Sequence, residues 1–212
     1  MSPNFNSKGG IMKKYETAII LAGGKSSRMG FDKQFLTFNN KKIIDTIIEQ
    51  LEKEFQEIII VTNKPEEYKN YSQKIFTDEI INKGPLGGIY TGLKKSTSNY
   101  AFITACDMPN INLDYIQYMK EIIEKNLVDI CITKIGDNIE PFHGFYSKEI
   151  VEDIKEYLFL GRRDIKGLVK ELNTYYISER IVKKYNPDLS IFINLNTQED
   201  LNGIIKTFGG IK

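Results

Sequence analysis

Along the chain, short runs rich in Ile and Val alternate with longer stretches whose apolar residues recur at helical spacing. Such alternation predicts strands exchanging with helices around a mostly parallel central sheet, an α/β architecture. Thr17 to Ala22 (TAIILA) lacks apolar–polar alternation and predicts a strand buried on both faces. Ile43 to Phe55 predicts a helix, with Ile43, Ile44, Ile47, Ile48 and Leu51 following its period. Glu57 to Thr62 predicts the second strand, Pro65 the start of a helix, and Lys74 to Thr77 a third strand. A helix over Leu86 to Lys95, a strand over Tyr100 to Ala105, a helix over Leu113 to Lys125 and a strand over Val128 to Thr133 follow. Beyond them the pattern predicts a strand over Phe142 to Tyr146, helices over Lys148 to Leu160 and Asp164 to Leu172, and short strands over Thr174 to Ile177 and Ile191 to Asn194. Thr197 to Lys206 is expected as a closing helix with Thr197 as its N-cap and Glu199 and Asp200 in its first turn. Residues 1–13 carry no periodic apolar pattern and are expected as a flexible extension, leaving 14–212 as a single domain.

The chain has 212 residues, and its 29 Lys+Arg against 28 Asp+Glu leave a net charge of +1. That balance, with no recognisable nucleic-acid motif, argues against a nucleic-acid partner. No apolar run approaches the ~20 residues needed to span a bilayer, and the first residues lack a secretory apolar segment. A cytoplasmic protein without a membrane partner is the expectation. Cys106 and Cys131 are the only cysteines, too few for a disulfide framework or a four-ligand zinc site, and both are expected as buried thiols. His143 is the only histidine and no nucleophile motif accompanies it, so a structural or peripheral role is expected.

In open α/β sheets ligands bind beyond the carboxyl ends of the strands. The first strand runs into Gly23-Gly24-Lys25-Ser26-Ser27-Arg28-Met29-Gly30-Phe31-Asp32-Lys33, where glycines admit a close ligand and Lys25, Arg28 and Lys33 supply cations. A triphosphate suits such a loop, and its spacing is neither the dinucleotide fingerprint nor the P-loop. The fourth strand ends in Cys106-Asp107-Met108-Pro109. Asp107 fits a Mg²⁺ ligand held against phosphate oxygens and, equally on this segment alone, an Asx turn. Asp78 closes the third strand shortly before Gly84-Pro85-Leu86-Gly87-Gly88, a run that reads equally as a seat for a base or ribose and as a flexible turn. Arg162-Arg163 fits a phosphate clamp, although a surface charge pair is the commoner meaning, and Asn194 to Thr197 fits helix capping.

LAGGKSSRMGFDK at Leu21 to Lys33, GPLGGI at Gly84 to Ile89, CDMP at Cys106 to Pro109 and NLNTQEDL at Asn194 to Leu201 together resemble the molybdenum cofactor guanylyltransferases, a branch of the nucleotidyltransferases. The resemblance covers nearly all of the chain after the extension and implies a three-layer Rossmann-like nucleotidyltransferase fold. It implies transfer of GMP from GTP to molybdopterin or Mo-molybdopterin, release of pyrophosphate and dependence on Mg²⁺. Carried over, Leu21, Ala22, Gly23 and Gly24 contact the nucleotide with Asn63, Asp78, Gly84, Pro85 and Leu86. Lys33 contacts the phosphates, Arg28 faces them, and Asp107 serves both GTP and Mg²⁺, so that Arg28, Lys33 and Asp107 are the catalytic candidates. Arg162, Arg163, Asn194 and Asn196 fall on the acceptor side. Transient contacts with molybdenum-insertion proteins and recipient molybdoenzymes are also implied. The sequence departs from the family pattern at Val61, where an asparagine is usual, at Gln198 in place of a proline, and in Glu140-Pro141-Phe142-His143-Gly144, an unusual version of the segment that the resemblance implies lines the acceptor cleft. A CTP-dependent cytidylyltransferase shares the loop, the aspartate and the core, and a non-catalytic nucleotide carrier is the alternative of another class.

Overall fold

A computed structural model describes residues 14–23, 37–38 and 41–195. In chain order its elements are β1 (Thr17–Leu21), β2 (Thr37–Phe38), β3 (Lys41–Lys42), α1 (Ile43–Leu51), β4 (Glu57–Val61), β5 (Lys74–Phe76), α2 (Pro85–Lys95) and β6 (Tyr100–Ala105). There follow α3 (Leu113–Asn126), β7 (Ile130–Ile135), β8 (Asn138–Ser147), α4 (Val151–Phe159), α5 (Ile165–Glu171), β9 (Thr174–Ser178) and α6 (Glu179–Val182). Seven strands form the main sheet in the order β5-β4-β1-β6-β8-β7-β9, and β8 alone runs antiparallel to its neighbours.

Both faces of the sheet are covered, which is why β1 shows no alternation: Ala18 and Ile20 pack with α1 and α3, while Ile19 and Leu21 pack with α2 and α4. The expected α/β fold with a mostly parallel sheet is therefore present. α1 stops at Leu51, four residues before the expected end at Phe55, and Pro65–Tyr68 makes only one 3₁₀ turn. β2, β3 and α6 were not expected from the pattern.

One expected strand is absent. Ser190–Phe192 makes a 3₁₀ turn instead, and the amides a ladder would need are engaged locally, that of Ile191 by a side chain and those of Phe192 and Ile193 by the Leu189 and Ser190 carbonyls. Asp188 Oδ1 accepts from the Ser190 N–H at 3.1 Å and Asn186 Oδ1 from the Ile191 N–H at 3.0 Å. The closing helix over Thr197 to Lys206 and the extension over 1–13 lie outside the described residues.

β8 begins earlier than its apolar pattern, at Asn138, and carries a large bulge. Between the Cys131–Phe145 and Thr133–Glu140 pairs, Pro141 to Gly144 stand opposite Ile132 alone. A side chain at Gly144 would place its Cβ 2.7 Å from Ile132 Cγ2 and 3.0 Å from the Cys131 carbonyl oxygen, so the close approach requires glycine. The Tyr146 hydroxyl donates to the Pro141 carbonyl at 2.8 Å and closes the loop of the bulge. Within it His143 adopts a φ of 74°, in the left-handed region.

The His143 ring is fully buried among Phe102 (centroids 4.9 Å apart), Tyr115 (6.0 Å) and Phe192 (6.0 Å), and neither ring nitrogen has a hydrogen-bond partner among the described residues. The structural role expected for this residue agrees with its place in the aromatic cage. Desolvation depresses the imidazole to about 3, so the folded protein holds it neutral. Below the ordinary value of about 6.5 the unfolded chain binds a proton that the folded chain refuses, and stability falls as pH drops from there toward 3. We expect the wild type to lose about 2 kcal/mol more than His143→Phe between pH 7 and pH 5. Urea midpoints of the two proteins at both pH values check this; parallel losses would remove the buried imidazole as the source.

Candidate active site

The carboxyl ends of four neighbouring strands are laced together just past their last residues. The Thr62 N–H donates to the Phe76 carbonyl at 2.9 Å, the Ala22 N–H to Val61 at 2.8 Å and the Cys106 N–H to Leu21 at 3.1 Å. This lacing sets Asp78, Asn63, Leu21 to Gly23 and Asp107 along one edge of the sheet, in the crevice where α/β folds bind ligands.

Asn63 Nδ2 donates to Asp78 Oδ2 at 3.2 Å. A Cβ at Gly23 would stand 3.4 Å from Asn63 Nδ2, and one at Gly88 would stand 3.0 Å from Leu21 Cδ2 and 3.6 Å from Asp78 Oδ1. Leu21, Gly23, Asn63, Asp78 and the first turn of α2 therefore form one cluster, uniting sequence candidates that are scattered over 68 positions from Leu21 to Gly88. Burial raises the Asp78 carboxyl above its usual range and the Asn63 amide opposes that rise. Gly84, at a φ of 64°, turns the chain into α2, and Pro85 opens the helix where a missing N–H costs nothing.

Asp107 sits in the turn after β6, which side chains from elsewhere in the fold hold in place. The Met108 N–H returns to the Ala105 carbonyl at 3.1 Å, and the Leu195 N–H donates to the Asp107 carbonyl at 2.8 Å. Gln50 of α1 donates to the Pro109 carbonyl at 2.8 Å and accepts from the Ile111 N–H at 3.3 Å, while Asn110 Nδ2 donates to the Ser190 carbonyl at 3.0 Å. Gln50 and Asn110 have no motif of their own, and sequence reasoning passed over both. Asn194 arrives beside Asp107 through the Leu195 hydrogen bond.

Arg162 and Arg163 lie between α4 and α5. Arg162 forms a two-pronged pair with Glu171 and lies 3.9 Å over the Tyr157 ring, and Arg163 donates to the Asn82 carbonyl at 3.4 Å. Arg163 thus reaches the loop before α2, which Lys83 also ties to α4 through the Leu158 carbonyl at 2.8 Å. Gly24, Lys25, Arg28, Lys33 and Asn196 lie outside the described residues. Among the described residues no three His, Cys, Asp or Glu side chains gather into a metal cage. A lone carboxylate at a fixed turn nonetheless suits Mg²⁺, which is commonly bound by one or two carboxylates together with substrate phosphates and water.

Residues 18–175 match the model of the MobA-like NTP transferase domain family. The chain belongs to this family. It is 49% identical over 187 residues to a molybdenum cofactor guanylyltransferase of Syntrophotalea carbinolica, covering 88% of this chain and 89% of that protein. A second relative of the same name, from Desulfosudis oleivorans, is 34% identical over 186 residues, covering 87% of this chain and 92% of its own. Among solved structures, the molybdopterin-guanine dinucleotide biosynthesis protein A of Archaeoglobus fulgidus superposes with a TM-score of 0.79 at 23% identity, over 92% of this chain and all of that one. The 4-diphosphocytidyl-2C-methyl-D-erythritol synthase of Anaerococcus prevotii shares the fold at a TM-score of 0.68 and 17% identity, over 93% of this chain and 99% of that one. The expected resemblance and the nucleotidyltransferase fold are borne out, and the family is one of enzymes. No helix among the described residues is long and apolar enough to cross a membrane.

Proposed function

We propose that this protein transfers GMP from GTP to the terminal phosphate of molybdopterin, with or without bound molybdenum, and releases pyrophosphate. The observation that carries the reading is the row of Asp78–Asn63, Leu21 to Gly23 and Asp107–Leu195 along one sheet edge, in a chain 49% identical to a guanylyltransferase. The nucleotide lies against Leu21 to Gly23, Asn63–Asp78 and the first turn of α2. Asp107 would hold Mg²⁺, which supplies charge neutralisation among phosphate oxygens.

An oxygen of the acceptor phosphate attacks the α-phosphorus in line, and the bond from that phosphorus to the oxygen of the leaving pyrophosphate breaks. The nucleophile belongs to the substrate, so the chain needs no serine, cysteine or histidine for covalent chemistry. Its own residues position two anions and offset their charge, the task of Arg28 and Lys33. We place the reaction in the cytoplasm, with molybdenum-insertion proteins and recipient molybdoenzymes as transient contacts.

Pyrophosphate release by purified protein with Mg²⁺ and molybdopterin, compared for GTP, CTP, ATP and UTP, tests the proposal. Release with GTP is expected; preference for CTP moves the protein to cytidylyl transfer, and GTP binding without release makes it a carrier. Lys33→Ala is expected to lower kcat by about 100-fold with little change in thermal stability. Unchanged turnover in that variant would remove Lys33 from the mechanism.

A further inference from the structure

We propose that Glu140 is a specificity residue whose carboxylate grips the adjacent N–H and NH₂ donors of a 2-aminopyrimidin-4-one ring, the pterin of the acceptor. The proposal rests on the acceptor named above.

Four observations converge on it. The antiparallel pairing of β8 with β6 ends at Ile103–Gly144, so Phe142, Pro141 and Glu140 run on past it, beside the end of β6 that turns into Asp107. Glu140 pairs directly with Thr133, and directly opposed residues share a face of the sheet. On that face Thr133 Oγ1 meets the Tyr115 hydroxyl at 2.6 Å, and His143 packs on Tyr115 and Phe192. Phe192 leads directly into Leu195, whose N–H binds Asp107. Third, Glu140 is half-buried, and burial alone raises its carboxyl, with neither a hydrogen bond nor an ion pair among the described residues to offset the loss of water. Fourth, the bulge that Gly144, the Tyr146–Pro141 hydrogen bond and buried His143 fix in place re-aims this stretch, a device that strands use next to active sites.

A carboxylate left without a donor among the described residues calls for a ligand that brings donors. A 2-aminopyrimidin-4-one presents two side by side, matching the two oxygens of one carboxylate as an arginine fork does. Guanine carries the same pair, so the source has to be chosen. The nucleotide cluster centres on β1 and β4, and β8 lies three strands from β4, about 14 Å at ordinary strand spacing. Glu140 therefore stands on the far side of Asp107 from that cluster, which favours the pterin.

The test is steady-state transfer by the full chain, wild type against Glu140→Gln and Glu140→Ala, with GTP, Mg²⁺ and molybdopterin each varied in turn. Loss of a charge-assisted pair is expected to raise KM for molybdopterin about 10- to 100-fold, with KM for GTP and the Mg²⁺ half-saturation within about twofold of wild type. Thermal unfolding and GTP titration of both variants establish that they are folded. An unchanged molybdopterin KM in a folded variant overturns the proposal. A raised KM for GTP overturns the pterin assignment and gives the donor pair to guanine, and a raised Mg²⁺ requirement makes Glu140 a metal ligand instead. Absence of transfer to molybdopterin by the wild type defeats the proposed function, and the pterin assignment with it, before any variant is compared.

Discussion

Asp107→Ala is expected to lose Mg²⁺-dependent pyrophosphate release, by a hundredfold or more, while folding as the wild type does. The size follows from the several kcal/mol that a bound cation contributes to a transition state in which phosphate charge is redistributed. The fold should survive because the turn is held through backbone groups: the Asp107 carbonyl accepts from Leu195, Met108 closes on Ala105, and Gln50 and Asn110 fix the residues that follow. None of these bonds uses the Asp107 carboxylate. Mg²⁺ titration of the variant, beside its thermal unfolding curve, separates the two contributions. Wild-type dependence on Mg²⁺ in the variant would exclude the carboxylate as a ligand.

That separation between carboxylate and scaffold also explains what the sequence could disclose. Parallel strands buried on both faces make continuous apolar runs, so Thr17 to Leu21 and Tyr100 to Ala105 were legible, and so were the glycines and acids that follow them. Asp78 and Asp107 stand out because a carboxylate directly after a buried strand is chemically conspicuous. Gln50 was invisible for the opposite reason: it lies on a helix with an ordinary amphipathic pattern, and its role is a tertiary hydrogen bond to a turn 59 residues away. Glu140 was noticed only as part of a segment that departs from the family pattern, and the first part of β8 was missed because Asn138 to Glu140 have no strand-like apolar pattern and among the described residues pair with β7 alone. Ile191 to Asn194 failed because apolar content predicts burial, whereas a strand also needs free backbone groups, and here Asn186 takes the Ile191 N–H while the Leu189 and Ser190 carbonyls take those of Phe192 and Ile193. Local composition thus identified the chemistry at the strand ends and not the long-range contacts that hold it still.

Phe102→Ala tests whether those contacts begin in the core beneath the site. The Phe102 ring is fully buried on β6, stacked on Phe55 at 5.6 Å and set edgewise to Phe145 at 5.5 Å and His143 at 4.9 Å. Truncation removes the transfer free energy of the ring and leaves a cavity, about 3–5 kcal/mol, out of a total stability of roughly 5–15 kcal/mol. In a chain of this size each kcal/mol moves Tm by roughly 2–4 °C, so a fall of about 6–20 °C is expected in a thermal melt. A fall of under about 3 °C would mean that the cage collapses onto the void at little cost. Kinetics well below the new Tm carry the second half of the argument, because β6 ends at the Asp107 turn and pairs with the strand that bears Glu140. If the aromatic cage serves the site by fixing the spacing of those two strands, the folded variant should show a raised KM for molybdopterin with GTP binding intact. If both constants stay at wild-type values, Phe102 acts on stability alone and the turn is positioned by Gln50, Asn110 and Leu195 without help from the layer below.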